Sequence, residues 1–445
     1  MPNKNLKKEF EQLVPKNIIN VLEICSQVAE ELSIRLFLIG GVVRDIITGK
    51  NHFDTDITVQ GNAIEFAHHL VKMYPEICKI KEIHESFCTV KVVFTVNKEQ
   101  IELDIASTRK ETYPYPGSLP VVEEIGCDLY YDVNRRDFSI NSMAISLNKE
   151  NYGELIDYLG GYEDIKQKRI RVLHEKSFID DPTRIIRALK FRVRFGYELD
   201  DITRKLQNQC LLSKIFDNFC GKRINSELKQ TFNLNKSEVM EIFLRENIYR
   251  LVDKDIKPSY CCPELPNCHP GLDLGSADLQ IPKQVLNDIE AIISEFSNYI
   301  NPDFIWLIYL GVLFSDFSKE KISLIVQKLY LSGMETAVLT GAKDLLEKAD
   351  CVQTNFEIYE FFEGFMSESI LICLIKKPEL KEKADLYFKK LKDIKIYTTG
   401  ETLINLGLKP APVFKEILRK LLKARINGEF SSEEEEKKFL KKILR

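Results

Sequence analysis

The sequence has no long hydrophobic run. Its longest apolar stretch, Phe304 to Phe314, falls well short of the roughly 20 residues that cross a bilayer as a helix, so a membrane-spanning role is excluded. Behind the polar opening MPNKNLKKEFEQL there is no apolar segment of the kind that directs secretion, and the reading is a cytoplasmic chain. The 11 cysteines are scattered, without the spacing of a disulfide framework. Cys261-Cys262 and Cys268-His269 lack the C-x₂-C spacing of a zinc site, and adjacent ligands suit a tetrahedral metal poorly. Histidine is scarce, with six residues, and His68-His69 reads as helix surface or packing; the single tryptophan, Trp306, reads as core. There is no repeat and no low-complexity tract beyond the charged patch Glu433 to Lys438, which reads as solvated helix. Nor is there a strong charge of one sign: the net charge is −4, which excludes a protein that coats nucleic acid by bulk charge.

What is present is an ordinary globular composition. Of 445 residues, 44% are hydrophobic and 29% charged, enough for a sizeable core divided among two to four domains. The charge is unevenly placed: from Lys166 to Arg194 there are ten Lys/Arg against three acids, a local net of +7. Such a segment in an acidic chain suits phosphates, although a solvated helix face has the same composition.

The first ~145 residues alternate strand and helix patterns. Leu36 to Ile39 is a short apolar run, and Asp54 to Val59, Thr89 to Val96 and Ile101 to Ala106 alternate as strands. Asn62 to Met73 reads as a helix with Asn62 as N-cap. Pro114, Pro116, Gly117 and Pro120 mark a loop. After about Gly160 the strand signals fade and helical periodicity runs to the end, broken at Lys257 to Pro282 and by a loop at Gly400 to Pro412.

The chemistry-bearing segment is Gly40-Gly41-Val42-Val43-Arg44-Asp45 followed by Asp54-Thr55-Asp56. Glycines at a strand-to-helix junction let backbone N–H groups approach phosphates, and Arg44, one turn on, adds a charge-assisted contact. Residues i and i+2 of a strand share a face, so Asp54 and Asp56 set two carboxylates side by side. Paired hard oxygens next to phosphates are the usual environment of Mg²⁺. A D-x-D alone is common; ten residues after GG-x-x-R-D it is specific. Farther on, Asp181, Arg184, Arg187 and Lys190 step by three along a predicted helix, forming one polar ridge. Ile185, Ile186, Leu189 and Val193 form a separate packing arc.

These residues resemble the nucleotidyltransferases of the DNA polymerase β superfamily, and within it the class II branch of tRNA CCA-adding enzymes and poly(A) polymerases. The resemblance recurs in order over residues 36–230. It runs through Ile101-Glu-Leu-Asp-Ile-Ala-Ser-Thr-Arg109-Lys-Glu111, Arg135-Arg136-Asp137-Phe138-Ser139-Ile140-Asn141-Ser142, Asp180-Asp181-Pro182-Thr183-Arg184, and Arg223 with Glu227. Gly400 to Pro412 is similar to the family's tail signature. The resemblance implies an α+β protein: a polymerase-β-like nucleotidyltransferase head, made of a small mixed sheet with helices, then an all-helical neck, body and tail. The corresponding domains are residues 1–145, 146–235, 236–390 and 391–445. It implies addition of C and A (CCA) to the tRNA 3′ end from CTP and ATP without a nucleic-acid template. Two Mg²⁺ ions would be held by Asp54 and Asp56, the catalytic pair. Gly41, Arg44, Arg136, Asp181, Arg184, Arg187 and Lys190 would bind nucleotide, with Asp181 and Arg184 reading the base edge. Asp104 is either a third carboxylate of the metal site or a structural residue. The implied partners are nucleoside triphosphates and tRNA, through its acceptor stem and elbow; the sequence points to no protein partner. The alternatives are a CC-adding or A-adding partial enzyme, a poly(A) polymerase, and a catalytically dead RNA-binding protein. Ile83 to Val90 lacks the arginines that poly(A) polymerases carry there, which favours tRNA.

Overall fold

The structure is a computed structural model that describes residues 4–50, 55–213, 221–253, 283–348 and 352–444. Asp54 and the Cys261, Cys262, Cys268 and His269 group lie outside these residues. The chain divides into two compact units, residues 1–227 and 228–445. No helix among the described residues is long and apolar enough to cross a membrane.

The first unit is built on a mixed sheet. Its strands are β1 (Leu36–Ile39), β2 (Asp56–Val59), β3 (Cys78–His84), β4 (Thr89–Val96), β5 (Glu99–Ser107), β8 (Ala144–Ser146) and β9 (Leu155–Ile156). Two further strands, β6 (Arg109–Thr112) and β7 (Val121–Ile125), form a separate hairpin. The sheet order is β3-β4-β5-β2-β1-β8-β9. Only β2 and β5 pair in parallel; the other neighbours are antiparallel. β1 is apolar throughout because all four of its residues are buried, which is how a central strand covered on both faces reads. β4 returns as β5 through Asn97 and Lys98, both in the left-handed region (φ 52° and 70°), a two-residue turn whose twist matches the strands. That return lays Asp104 of β5 directly beside Asp56 of β2.

The helix Ala63–Met73 is capped as its sequence indicates: the Asn62 side chain accepts from the N–H groups of Ile64 and Glu65. The hairpin of β6 and β7 was not legible, because its turn residues Pro114, Pro116, Gly117 and Pro120 read as an unpaired loop. Strand structure also continues beyond Gly160. β10 (Arg169–Ile170) and β11 (Glu198–Leu199) pair in parallel, but two residues are too few to show a period-2 pattern.

The second unit is helical. Its centre is the helix Ile305–Phe314, nine of whose ten residues, Trp306 among them, are buried. Gly400–Asn405, expected as a loop, is a helix capped by Thr399. Nor is the charged patch near the end merely solvated. Glu436 is 0% exposed, and it accepts the backbone N–H groups of Tyr397 (3.1 Å) and Thr398 (2.6 Å). Leu403, Ile417, Leu421, Phe430 and Leu440 form a small core of their own beside it.

One close approach in the first unit holds the segment from which Asn141 projects. A Cβ on Gly161 would stand 2.1 Å from the backbone oxygen of Ser139, a contact no backbone atom can relieve by a rotamer change. Gly161→Ala should therefore destabilise the protein by about 1–3 kcal/mol, lowering the melting temperature by several degrees. Gly333→Ala, where nothing among the described residues lies within 4 Å, should leave it nearly unchanged. Equal melting curves for the two variants would show that the Gly161 contact is not tight.

Candidate active site

β1 runs into the helix Gly41–Ile47 through Gly40, whose φ of +83° favours glycine. The missing side chain also makes room, since a Cβ there would meet Arg136 Nη1 at 2.8 Å. Arg44, one turn into the helix, is 4% exposed. Its Nε donates to Asp45 Oδ1 at 2.9 Å and its Nη1 to Asn141 Oδ1 at 2.5 Å, while the guanidinium lies 4.5 Å from the Phe195 ring centre. Burial lowers its pKa, with Asp45 opposing.

From Arg44 a chain of polar contacts leads across the unit. Asn141 Nδ2 donates to Asp137 Oδ1 (3.0 Å). Asp137 Oδ2 accepts from Arg187 Nε (2.9 Å) and Nη2 (2.7 Å). Glu227 then accepts from Arg187 Nη1 (3.1 Å) and Lys190 Nζ (2.9 Å). Burial alone would raise the Asp137 pKa, but Arg187 and Asn141 overcome it and hold the carboxyl at about 2. Arg187 is pushed up against the effect of burial by Asp137 and Glu227. For Lys190, burial prevails over Glu227 and the pKa falls.

Two cavities meet at Asp56. One, of about 260 Å³, is lined by Gly41, Arg44, Asp56, Arg136, Arg187 and Arg194 among others. The second, of about 290 Å³, is lined by Asp56, Asp104, Lys91, Arg109, Arg135 and Arg136 among others. Both fall just below the usual size of ligand cavities (about 300–1,000 Å³), so each suits part of a substrate. Asp56 and Arg136 border both. Asp104 carries a partner of its own, Lys91 Nζ, at 3.2 Å. Among the described residues no group of three His, Cys, Asp or Glu is placed to hold a metal ion. The donors available, Asp56 and Asp104 on neighbouring strands, are carboxylates, the hard oxygen chemistry that Mg²⁺ takes.

Gly41, Arg44, Asp56, Arg136 and Arg187 line one cavity. Asp181, Arg184 and Lys190 line neither cavity. The ridge read from three-residue steps breaks at Pro182: the helix is Thr183–Phe195, and Asp181 precedes it in extended backbone (φ −142°). Asp181 Oδ1 accepts from the Thr183 N–H (3.1 Å) and hydroxyl (2.6 Å), and its Oδ2 pairs with Arg223. Arg184 is 4% exposed and donates to Ser177 Oγ (2.7 Å) and the Arg135 carbonyl (2.8 Å). Sequence reasoning quoted Asp137 and Asn141 within a motif but gave them no role. The signal was there in the spacing, because an acid and an amide four apart behind two arginines are fit partners for buried guanidiniums.

Asp137, with its depressed pKa, contributes stability that is fully present above the ordinary carboxylate value and lost as pH falls from about 4 through about 2. The contribution is on the order of 2 kcal/mol. Asp137→Asn should lower stability at pH 6 and flatten its decline between pH 4 and pH 2, as followed by urea unfolding at a series of pH values. A decline as steep as that of the unaltered chain would place the acid sensitivity elsewhere.

Residues 36–171 match the family described as the poly A polymerase head domain. The A-adding tRNA nucleotidyltransferase of Geobacter sulfurreducens is 31% identical over 95% of this chain and 47% of its own length. That of Aquifex aeolicus is 34% identical over 82% of this chain and 41% of its own. The chain therefore spans less than half the length of these two relatives. A solved CCA-adding enzyme in an apo form has a TM-score of 0.77 and 27% identity, covering 100% of this chain and 99% of that one. Motif order, head domain and end-to-end fold agree: the chain carries a poly A polymerase head domain over residues 36–171 and is similar along its whole length to CCA-adding enzymes.

Proposed function

We propose that the chain is a template-independent tRNA nucleotidyltransferase that uses CTP and ATP to build the CCA end. The observation that carries this reading is the position of Asp56 where two cationic cavities meet. Transfer of a nucleotide needs a triphosphate on one side of the reacting centre and an RNA 3′-hydroxyl on the other. In this reading the cavity with Arg44, Arg136 and Arg187 takes the triphosphate, their positive charge facing the phosphates as negative charge develops. The cavity with Arg109 and Arg135 takes the RNA terminus, and Arg136 faces both. Asp54 and Asp56 would hold two Mg²⁺ ions. When bound, these would supply the charge that eases deprotonation of the 3′-hydroxyl and offsets the charge of the leaving pyrophosphate. Asp104 would stay paired with Lys91 or join the site.

Asp181 and Arg184 would choose the base. A fixed carboxylate and guanidinium suit C and A, which both offer an exocyclic amine and a ring-nitrogen acceptor. To do so, Asp181 must exchange Arg223, and Arg184 must exchange Ser177 and the Arg135 carbonyl, for the base edge. Lys190, tied to Glu227, would support Arg187 rather than touch the phosphates. The second unit would bind tRNA at acceptor stem and elbow through phosphates and shape.

Two products are compatible with this site. The sequence reading is addition of both C and A; addition of A alone is supported by the names of the Geobacter and Aquifex relatives. Incubating the protein with tRNAs ending before, within and after CCA, with each nucleoside triphosphate in turn, separates them. C followed by A on tRNA lacking all three nucleotides identifies the full enzyme, C without A the CC-adding one, and A incorporated only after CC the A-adding one. In the same assay Asp181→Ala should admit UTP or GTP at rates within about tenfold of the preferred nucleotide. A mispaired buried polar group costs ~1–3 kcal/mol, and that penalty would be gone. No transfer to any tRNA would refute the proposal, and unchanged discrimination in the Asp181 variant would move base selection to other residues.

A further inference from the structure

Asp132 has a side chain that is 0% exposed. It lies on the helix Leu129–Asn134, whose Leu129 and Val133 pack with Phe37, Ile39 and Ala144 of β1 and β8. Both of its oxygens are taken by the two arginines that follow it. Oδ1 accepts from Arg135 Nε (3.0 Å) and Nη2 (2.6 Å), and Oδ2 accepts from Arg136 Nη2 (3.2 Å). Oδ1 also receives the backbone N–H of Arg109 at 3.3 Å. A second carboxylate, Glu111, grips the outer side of the group through Arg135 Nη1 (3.3 Å) and Arg109 Nε (2.5 Å). Burial pulls the Asp132 pKa upward, but the two guanidiniums outweigh it and the group stays ionised below the usual carboxylate range.

The consequence falls on Arg136. Its Nη2 is held by Asp132, and its Nη1 lies in the space that a Cβ on Gly40 would fill. Its Nε is buried with no acceptor among the described residues. An arginine at the mouth of a cavity ordinarily samples many rotamers, and ordering it on binding weakens the ligand's hold. Here the ordering is done in advance by a carboxylate that has no exposure of its own.

We propose that Asp132 is a positioning residue: it fixes the Arg136 guanidinium where that group meets the phosphates of the bound nucleoside triphosphate. The inference rests on the function proposed above, and its test is a binding measurement, so the two can fail separately. Binding of CTP and of ATP to the full chain without RNA is measured by calorimetry for the unaltered protein, Asp132→Asn, Arg136→Ala and the double variant. Asp132→Asn should weaken nucleotide binding about tenfold, and Arg136→Ala at least as much. The double variant should bind no more weakly than Arg136→Ala alone, because Asp132 acts through Arg136. A purely structural role would instead lower the melting temperature in both backgrounds and leave the two binding factors to multiply. Multiplying factors, or an unchanged affinity in Asp132→Asn, would overturn the proposal. If Asp132→Asn does not fold, Asp132→Ser, which keeps an acceptor oxygen in a smaller volume, takes its place with the same expectations. A protein that binds nucleotide yet transfers none contradicts the function, while the binding cycle still decides the role of Asp132.

Discussion

Guanidinium groups can line a small cavity in a folded interior only if something holds them there, and in this protein that constraint organises the whole first unit. Arg44 leans on Asp45 and Asn141, Arg187 on Asp137 and Glu227, and Arg136 on Asp132. Arg44 with Asn141 and Arg187 with Asp137 pair across segments, so these contacts tie the glycine helix, the Arg135–Ser142 stretch and the helix Thr183–Phe195 into one piece. Removing either member of such a pair leaves a buried charge alone, which is far more costly than losing an exposed salt bridge. The cationic character of the cavity and the rigidity of its walls therefore have the same origin.

The sheet supplies the other half of the arrangement. Asp56 and Asp104 lie side by side because β2 and β5 pair in parallel, and that pairing is possible only because the two-residue turn at Asn97 and Lys98 sends β5 back across the sheet. A carboxylate at the rim of both cavities follows from register, since a slip of one residue would turn Asp56 into the interior. The cationic walls and the acidic rim are thus set by independent devices, side-chain pairing in one case and backbone register in the other.

Much of this was legible in the sequence wherever the signal is local. β1 and β4 show as an apolar run and an alternating one, and the Asn62 cap announces its helix. Arg44, Asp56 and Arg187 stand out by residue type and spacing, and Arg136 through the resemblance of its motif. What escaped is long-range or too short to have a period. β6 and β7 pair across a proline-rich connection, and β10 and β11 have two residues each. The helix Gly400–Asn405 is a single capped turn and a half inside what reads as a loop. Glu436 sits in a run of charges that looks solvated, and only the fold reveals the backbone donors that bury it. Asp181 was read as part of a helical ridge, but Pro182 sets it outside the helix, where its oxygens serve Thr183 and Arg223. Its present partners are satisfied, so base recognition by this residue depends on an exchange that spacing alone could not anticipate.

In the proposed function Asp56 stands between a nucleotide cavity and an RNA cavity and serves transfer rather than the binding of either substrate. Asp56→Ala, and Asp54→Ala beside it, separate the two roles directly. Calorimetric binding of nucleoside triphosphate without metal, filter binding of tRNA, and single-turnover transfer with Mg²⁺ are measured on the same preparations. Both affinities should stay within a fewfold of the unaltered protein, and transfer should fall at least a thousandfold. Transfer within tenfold of the unaltered protein in either variant would contradict it.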